Sequence, residues 1–318
     1  SRRGEAIKRG LSEIHIGGVT TLGNILTWDP ISEASLYPVQ RHEFRELLGL
    51  TDQMVGEQVA LGRHYLQTTE RRKDKTFSVG LSPHAPYTTS LELVSEVVKL
   101  SWQYRVVVAM HLAESREELQ LLESGSGPFR ELLERFEVWH SDAFAQSRRP
   151  LDYLRRLCRA QRALIIHGNY LTPDDWDFLA QHRRNMSLVY CPRTHDYFGH
   201  ETYRLNEIRQ AKVSVALATD SRGSNPDLSM LEELRFAAQR HPDIDPQSLL
   251  AMATTEGAAA LGIDGVVGSL EPGKQADLTV VQLGHHRSAG GCDPYGDLLD
   301  SDGRVLATWV KGVEYPVS

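Results

Sequence analysis

Short apolar runs that end abruptly in polar clusters recur along the chain and set its rhythm. Val106-Val107-Val108-Ala109-Met110 is the clearest, and His111-Leu112-Ala113-Glu114-Ser115 follows it at once. A β-branched run that is apolar at every position suits a strand covered on both faces, as in a parallel sheet wrapped by helices. The same pattern predicts strands over Thr20 to Ile25, Phe77 to Leu81, Ala163 to Ile166 and Ser187 to Tyr190, and from Val213 to the acid at Asp220. Phe44 to Gly49 reads as a weaker strand. Between these runs the apolar period lengthens to that of a helix: behind a Thr51 cap, from Ser90 to about Gln103, from Arg116, over Phe129 to Phe136, from Pro150, from Pro173, near Tyr203 to Ala211, over Leu228 to Gln239, and twice within Pro246 to Leu261. The alternation gives seven βα units, and a closed barrel has eight.

Both ends depart from the rhythm. Ser1 to Leu11 reads as an amphipathic helix without a cap, and a β-rich run starts by Ile14. From Gly265 onward only two short β-like runs appear, Leu278 to Val281 and Val305 to Val310, among Gly, Pro and Asp turns. The reading is therefore an α/β barrel over residues 1–264 and part of a small separate sheet over 265–318.

Composition narrows the partners. Lys and Arg number 35 against 42 acidic residues, mixed along the chain, which leaves no electrostatic footprint for nucleic acid. No apolar run approaches the roughly 20 residues of a membrane helix. Cys158, Cys191 and Cys292 are widely separated, against a disulfide framework, and predict a reducing, cytoplasmic setting. A small-molecule substrate fits best, and the outer helices of such a barrel offer a surface for a homodimer.

The chemistry gathers at strand ends. Four of the later strands finish in a group able to bind a metal or move a proton: His84, His111 with Glu114, His167 and Asp220. Singly, each has a structural reading: a turn histidine between prolines, a half-buried histidine, a capped strand end, an N-cap. Jointly they fall where α/β barrels collect their chemistry, at the C-terminal ends of the strands. Imidazole and carboxylate ligands suit Zn²⁺ ahead of Fe²⁺, and without a cysteine pair the site reads as open and catalytic. Glu114 is then the natural proton shuttle.

Gly18-Val19-Thr20-Thr21, Ser82-Pro83-His84-Ala85-Pro86-Tyr87-Thr88, His111-Leu112-Ala113-Glu114-Ser115, His167-Gly168-Asn169-Tyr170-Leu171, Cys191-Pro192-Arg193 and Ala218-Thr219-Asp220-Ser221 closely resemble the amidohydrolase superfamily, in its metal-dependent deaminase and chlorohydrolase branch. The resemblance runs from about Gly17 to the end and takes in Gly268-Ser269-Leu270-Glu271-Pro272-Gly273-Lys274-Gln275-Ala276-Asp277-Leu278, similar to that family's return into a small β-sandwich. It implies a TIM-like (β/α)8 barrel. It also implies that His111 and Asp220 hold a divalent metal, that Glu114 protonates a ring nitrogen, that His167 polarises water or substrate, and that His84 lines the substrate pocket. The implied reaction is hydrolytic deamination of a purine-like or other nitrogen heterocycle, with expulsion of chloride on the same scaffold as the alternative. No Lys lies on the strand before His84, where binuclear relatives carry a carbamylated lysine, so one metal is expected.

Two features depart from that family. Its first strand ends in His-x-His, which occurs nowhere in this chain; His285-His286 is adjacent and reads as a polar turn. With seven βα units, the expectation is a barrel lacking its first βα unit, through loss of an N-terminal segment. A barrel that has lost its metal pair and serves only as a binding protein is a third reading, against which the joint presence of His111, Glu114, His167 and Asp220 argues. The second departure is Arg193-Thr194-His195. Arg193 can grip a carboxylate with its planar fork, which suits a substrate with an acidic group, such as an adenine nucleoside carrying a carboxylate; its alternative is an ordinary salt bridge.

Overall fold

The computed structural model describes residues 2–28, 39–70, 77–284, 293–300 and 302–316. His285-His286 and Cys292 lie outside the described residues.

The chain opens with α1 (Arg2–Ile16), which persists past Ile14, where the sequence pattern predicts the start of a β-rich run. Gly17 and Gly18 end it, Gly18 at a φ of 83° that a side chain resists. β1 (Thr21–Leu26) and β2 (Gln40–Leu47) follow, the latter earlier in the chain than predicted because its polar residues hide the strand. In β2, Arg41 and Glu43 are buried and ion-paired at 3.5 Å, so charged side chains occupy positions that apolar periodicity assigns to a core.

The remaining barrel elements alternate: α2 (Asp52–Glu70), β3 (Phe77–Pro83), α3 (Leu91–Tyr104), β4 (Val107–Leu112), α4 (Arg116–Ser124), α5 (Pro128–Arg135), α6 (Pro150–Leu157), β5 (Ala163–His167), α7 (Pro173–Gln181), β6 (Met186–Tyr190), α8 (Pro192–Tyr197), α9 (Leu205–Gln210), β7 (Val215–Leu217), α10 (Met230–Arg240), α11 (Pro246–Ala253) and α12 (Thr255–Leu261). The strands form one seven-stranded parallel sheet in the order β1-β2-β3-β4-β5-β6-β7. Each pairs with its neighbours in sequence, so all seven present their C-terminal ends to one side. β1 and β7 are the outer strands, with no ladder between them among the described residues. This is a TIM-like barrel of seven strands.

Two apolar layers hold the sheet. Val108, Met110 and Leu112 of β4 point toward the helices and join the main core with Leu47, Leu81, Leu93 and Leu188. Complete burial of each such side chain contributes about 1.5–3 kcal/mol. The inner layer is thinner: Phe44, Ala109, Leu164, Val189 and Ala216, with Ala260 of α12 packed on it. Small inner residues leave room for Phe44, whose ring lies so close to Gly80 that a Cβ there would sit 2.4 Å from Cδ1.

The C-terminal sheet is antiparallel, with order β10-β9-β8 from β8 (Leu278–Gln282), β9 (Arg304–Val310) and β10 (Val313–Pro316). β10 and the short α13 (Pro294–Asp300) add to the two strands expected. The sheet is tied to the start of the chain, where Thr279 Oγ1 donates to the Gly18 carbonyl at 2.6 Å and Thr308 Oγ1 lies 3.0 Å from His15 Nδ1. No helix among the described residues is long and apolar enough to cross a membrane.

Candidate active site

Strand parity places the first functional side chain. In β4, Ala109 faces the inner layer, and His111, two residues on, shares that face at the strand's C-terminal end. Its Nδ1 lies 3.0 Å from the His84 carbonyl, which only accepts, so Nδ1 carries the proton and Nε2 keeps a free lone pair. In β5, parity alone would turn His167 toward the helices with Ile165. His167 instead adopts a φ of 68°, breaking the pleat, and its ring stacks beside His111 at 5.5 Å. Gly168 continues the turn at a φ of 60°.

The loops then stitch the strand ends together. Gly168 N–H donates to the Leu112 carbonyl at 3.0 Å and Tyr170 N–H to that of Ala113 at 3.1 Å. Asn169 Nδ2 donates to the Glu114 carbonyl at 2.9 Å, and the buried Tyr203 hydroxyl to the His167 carbonyl at 3.1 Å. The result brings His167 Nε2 to 3.4 Å from Glu114 Oε1 and 3.9 Å from Asp220 Oδ2. One ligand atom each from Glu114, His167 and Asp220 lies within 4.8 Å of the others, the only such cluster among the described residues. Asp220 also holds a positive φ, 65°, with Oδ1 accepting from Ser221 N–H at 2.6 Å. Strained backbone at His167 and Asp220 together is the kind of cost that folds bear at functional sites.

The electrostatics follow from burial. The Glu114 carboxyl is pushed up to about 7 by desolvation, with the Asp220 charge adding to it. Desolvation likewise drives His167 well below the ordinary imidazole range, reinforced by His111. His84 is pushed down to about 4 by burial and then by His111. Neutral imidazoles and paired carboxylates are donors matched to a divalent cation, which would relieve the repulsion between Glu114 and Asp220. His84 stands at the rim, 5.3 Å from the His111 ring, with Nδ1 held 2.7 Å from Thr88 Oγ1.

His111, stacked beside His167, and His84 stand next to this cluster but outside its set of three ligand atoms, and Arg193 is turned away from it altogether. Its Nε donates to Glu233 Oε1 at 2.8 Å and its outer nitrogen to Asp227 Oδ1 at 2.9 Å, so the planar fork is spent within the chain. Glu233 is fully buried, and desolvation pushes its carboxyl up to about 7 against the pull of Arg193. Arg193→Ala is accordingly expected to cost about 3–5 kcal/mol in a denaturant titration, since it strands a buried acid. A selective rise in KM for an anionic substrate at unchanged stability would instead speak for an anion grip.

Sequence patterning passes over several supporting residues. Tyr203 reads only as the start of a helix; Ser224 and Asn225 bond to the Asp220 and Thr194 region, with Asn225 Nδ2 donating to Thr194 Oγ1 at 2.7 Å. Glu118 escapes the same patterning, although Ser115 followed three residues later by Glu118 is a helix-start signature.

Known proteins resemble this chain in sequence and in fold. An aminodeoxyfutalosine deaminase of a Nitratiruptor species is 25% identical over 288 residues, covering 88% of this chain and 68% of that protein. The crystal structure of Helicobacter pylori aminofutalosine deaminase superposes with a TM-score of 0.83 at 25% identity, covering 98% of this chain and 77% of that one. An adenosine deaminase from Xanthomonas campestris with bound zinc has the same fold, with a TM-score of 0.74 at 22% identity over 99% of this chain and 70% of that one. The chain spans about half the length of several other curated relatives that it matches. Residues 5–314, nearly the whole of the chain, match the amidohydrolase family, and the chain belongs to that family.

Proposed function

We propose that this protein is a metal-dependent aminohydrolase that removes an exocyclic amine, as ammonia, from a purine-like nitrogen heterocycle. The family is metal-dependent, and the deaminases among its relatives support the substrate class. The observation that carries the reading is Glu114: a carboxyl held near neutrality, 3.4 Å from His167 Nε2 and beside Asp220, just past the C-terminal end of β4.

In this proposal His111, through its free Nε2, and Asp220 hold one divalent ion, Zn²⁺ ahead of Fe²⁺ for a nitrogen and oxygen donor set. Bound there, the ion would lower the pKa of a water to near neutrality and so make a nucleophile available at neutral pH. Glu114 donates its proton to the ring nitrogen as oxygen adds to the amine-bearing carbon. Asp220 accepts the proton that the attacking water gives up and passes it to the departing amine, so that ammonia leaves as the C–N bond breaks. Glu114 recovers a proton from the new hydroxyl, leaving a ring carbonyl. His167, neutral and with its backbone carbonyl held by the Tyr203 hydroxyl, donates to or accepts from the attacking oxygen, and His84 lines the pocket.

A panel of zinc-loaded reactions tests this. Adenosine-type nucleosides, with and without a carboxylate on the sugar side, and a chloro-substituted triazine are incubated with the protein, and ammonia and chloride are measured. Ammonia from the nucleosides is the expected result. Chloride release without ammonia would move the assignment to the chlorohydrolase alternative, and no turnover of any would sink the proposal.

A further inference from the structure

Glu118 lies one helical turn beyond Glu114 and is fully buried, yet the proposed chemistry gives it nothing to do. Its two oxygens are aimed at the site's backbone. Ala113 N–H donates to Oε1 at 2.7 Å and Glu114 N–H to Oε2 at 3.2 Å. Ser115 is the N-cap of α4, accepting from Glu118 N–H at 3.2 Å on its own hydroxyl. In an ordinary capping box the acid at this position would return the bond to the N–H of the cap residue itself. Here it reaches past Ser115 to the two residues before it.

Those two residues make the turn that carries Glu114 off the end of β4. Ala113 adopts a φ of 53°, the left-handed region in which a Cβ crowds the following carbonyl, so the turn does not hold itself by local preference. On the far side, the carbonyls of Ala113 and Glu114 accept from Tyr170 N–H at 3.1 Å and Asn169 Nδ2 at 2.9 Å. The N–H groups face Glu118 and the carbonyls face the loop after β5. Both residues are therefore gripped from two elements.

We infer that Glu118 is a positioning residue whose two carboxyl oxygens clamp the N–H groups of Ala113 and Glu114 and so fix the direction in which the Glu114 side chain leaves the backbone. The inference rests on the reading of Glu114 as proton carrier. Glu118→Gln tests it with little change of shape: the amide offers one oxygen to one N–H and sets its own NH₂ against the other. Because misplacing a reacting group by about 1 Å costs on the order of 10²-fold in rate, kcat on the best amine substrate should fall by about 10–10²-fold with KM little changed. Backbone amide exchange by NMR should quicken at Ala113 and Glu114 and stay as it was at Met110 in the middle of β4. Adding Ala113→Gly should restore part of kcat, since glycine takes this φ without the Cβ penalty.

A helix-stabilising role alone would lower the melting temperature of Glu118→Gln, leave kcat per folded molecule unchanged and give Ala113→Gly nothing to rescue; that result overturns the inference. Should Glu118→Gln not fold, Glu118→Asp, one methylene short of both N–H groups, reads the same quantities. If the wild-type protein hydrolyses no amine, the reading of Glu114 falls, and exchange still decides the clamp: unchanged rates at Ala113 and Glu114 sink it, raised rates uphold it.

Discussion

Glu114→Gln is expected to lower kcat for ammonia release by about 10²–10⁴-fold, the range that a positioned general acid or base contributes, while zinc content and KM stay close to those of the wild type. Glutamine keeps the shape of the side chain and carries no transferable proton, so the loss falls on the chemical step. The proton is available because of where the carboxyl sits: burial disfavours its charged form, and the Asp220 carboxylate disfavours it further, together placing it at about 7. The sign follows directly. Glu114 of the metal-free protein holds its proton below about 7 and loses it above, so the acid function declines as pH rises. In the metal-free protein, a carbon-13 titration of the Glu114 carboxyl should find its midpoint near 7. Asp220→Asn should lower that midpoint and leave it above an ordinary glutamate, since burial is the larger cause. A midpoint in the ordinary carboxylate range, or an unimpaired kcat in Glu114→Gln, would remove Glu114 from the mechanism.

The sequence makes this residue visible because a buried parallel strand leaves a plain trace. Val106 to Met110 is apolar throughout, and the first polar residues after it mark the strand's catalytic end. The same trace locates β3, β5, β6 and β7, with His84, His167 and Asp220 following three of them. It fails where charge is buried in pairs. β2 carries Arg41 and Glu43 in the interior, so its pattern mimics a polar surface, and the predicted strand slides toward Gly49. Arg193 is a related case: a guanidinium after a strand end looks the same in sequence whether it faces a ligand or Glu233, 40 residues away. Nor does sequence register a reversal of pleat. His167 reaches the cluster only because its φ of 68° turns it inward, against the parity of its own strand. The clamp by Glu118 is written as a capping pattern, but which N–H groups the carboxylate takes depends on the left-handed turn at Ala113.

Asp220 is proposed for two tasks, and its substitution should separate them from the single task of His111. Asp220→Asn keeps an oxygen for the Ser221 N–H, which now meets Oδ1 at 2.6 Å, so the strained turn has its bond and the fold should persist. The charge is gone, however, and metal affinity should fall by more than the roughly 10–100-fold that losing an outer partner of a ligand costs. His111→Ala should lose affinity too, for it removes the Nε2 lone pair freed by the hydrogen bond to the His84 carbonyl. The two variants should diverge when zinc is raised well above their dissociation constants. Mass action refills the site in both, because occupancy depends only on the ratio of free metal to Kd. His111→Ala then recovers much of its activity. Asp220→Asn does not, since no amount of metal gives an amide the basicity to take the proton of the attacking water and return it to the amine. Equal recovery of both variants at saturating zinc would confine Asp220 to holding the metal and require another group to move that proton; His167, 3.9 Å away and driven toward its neutral form by burial, is the residue placed to do so.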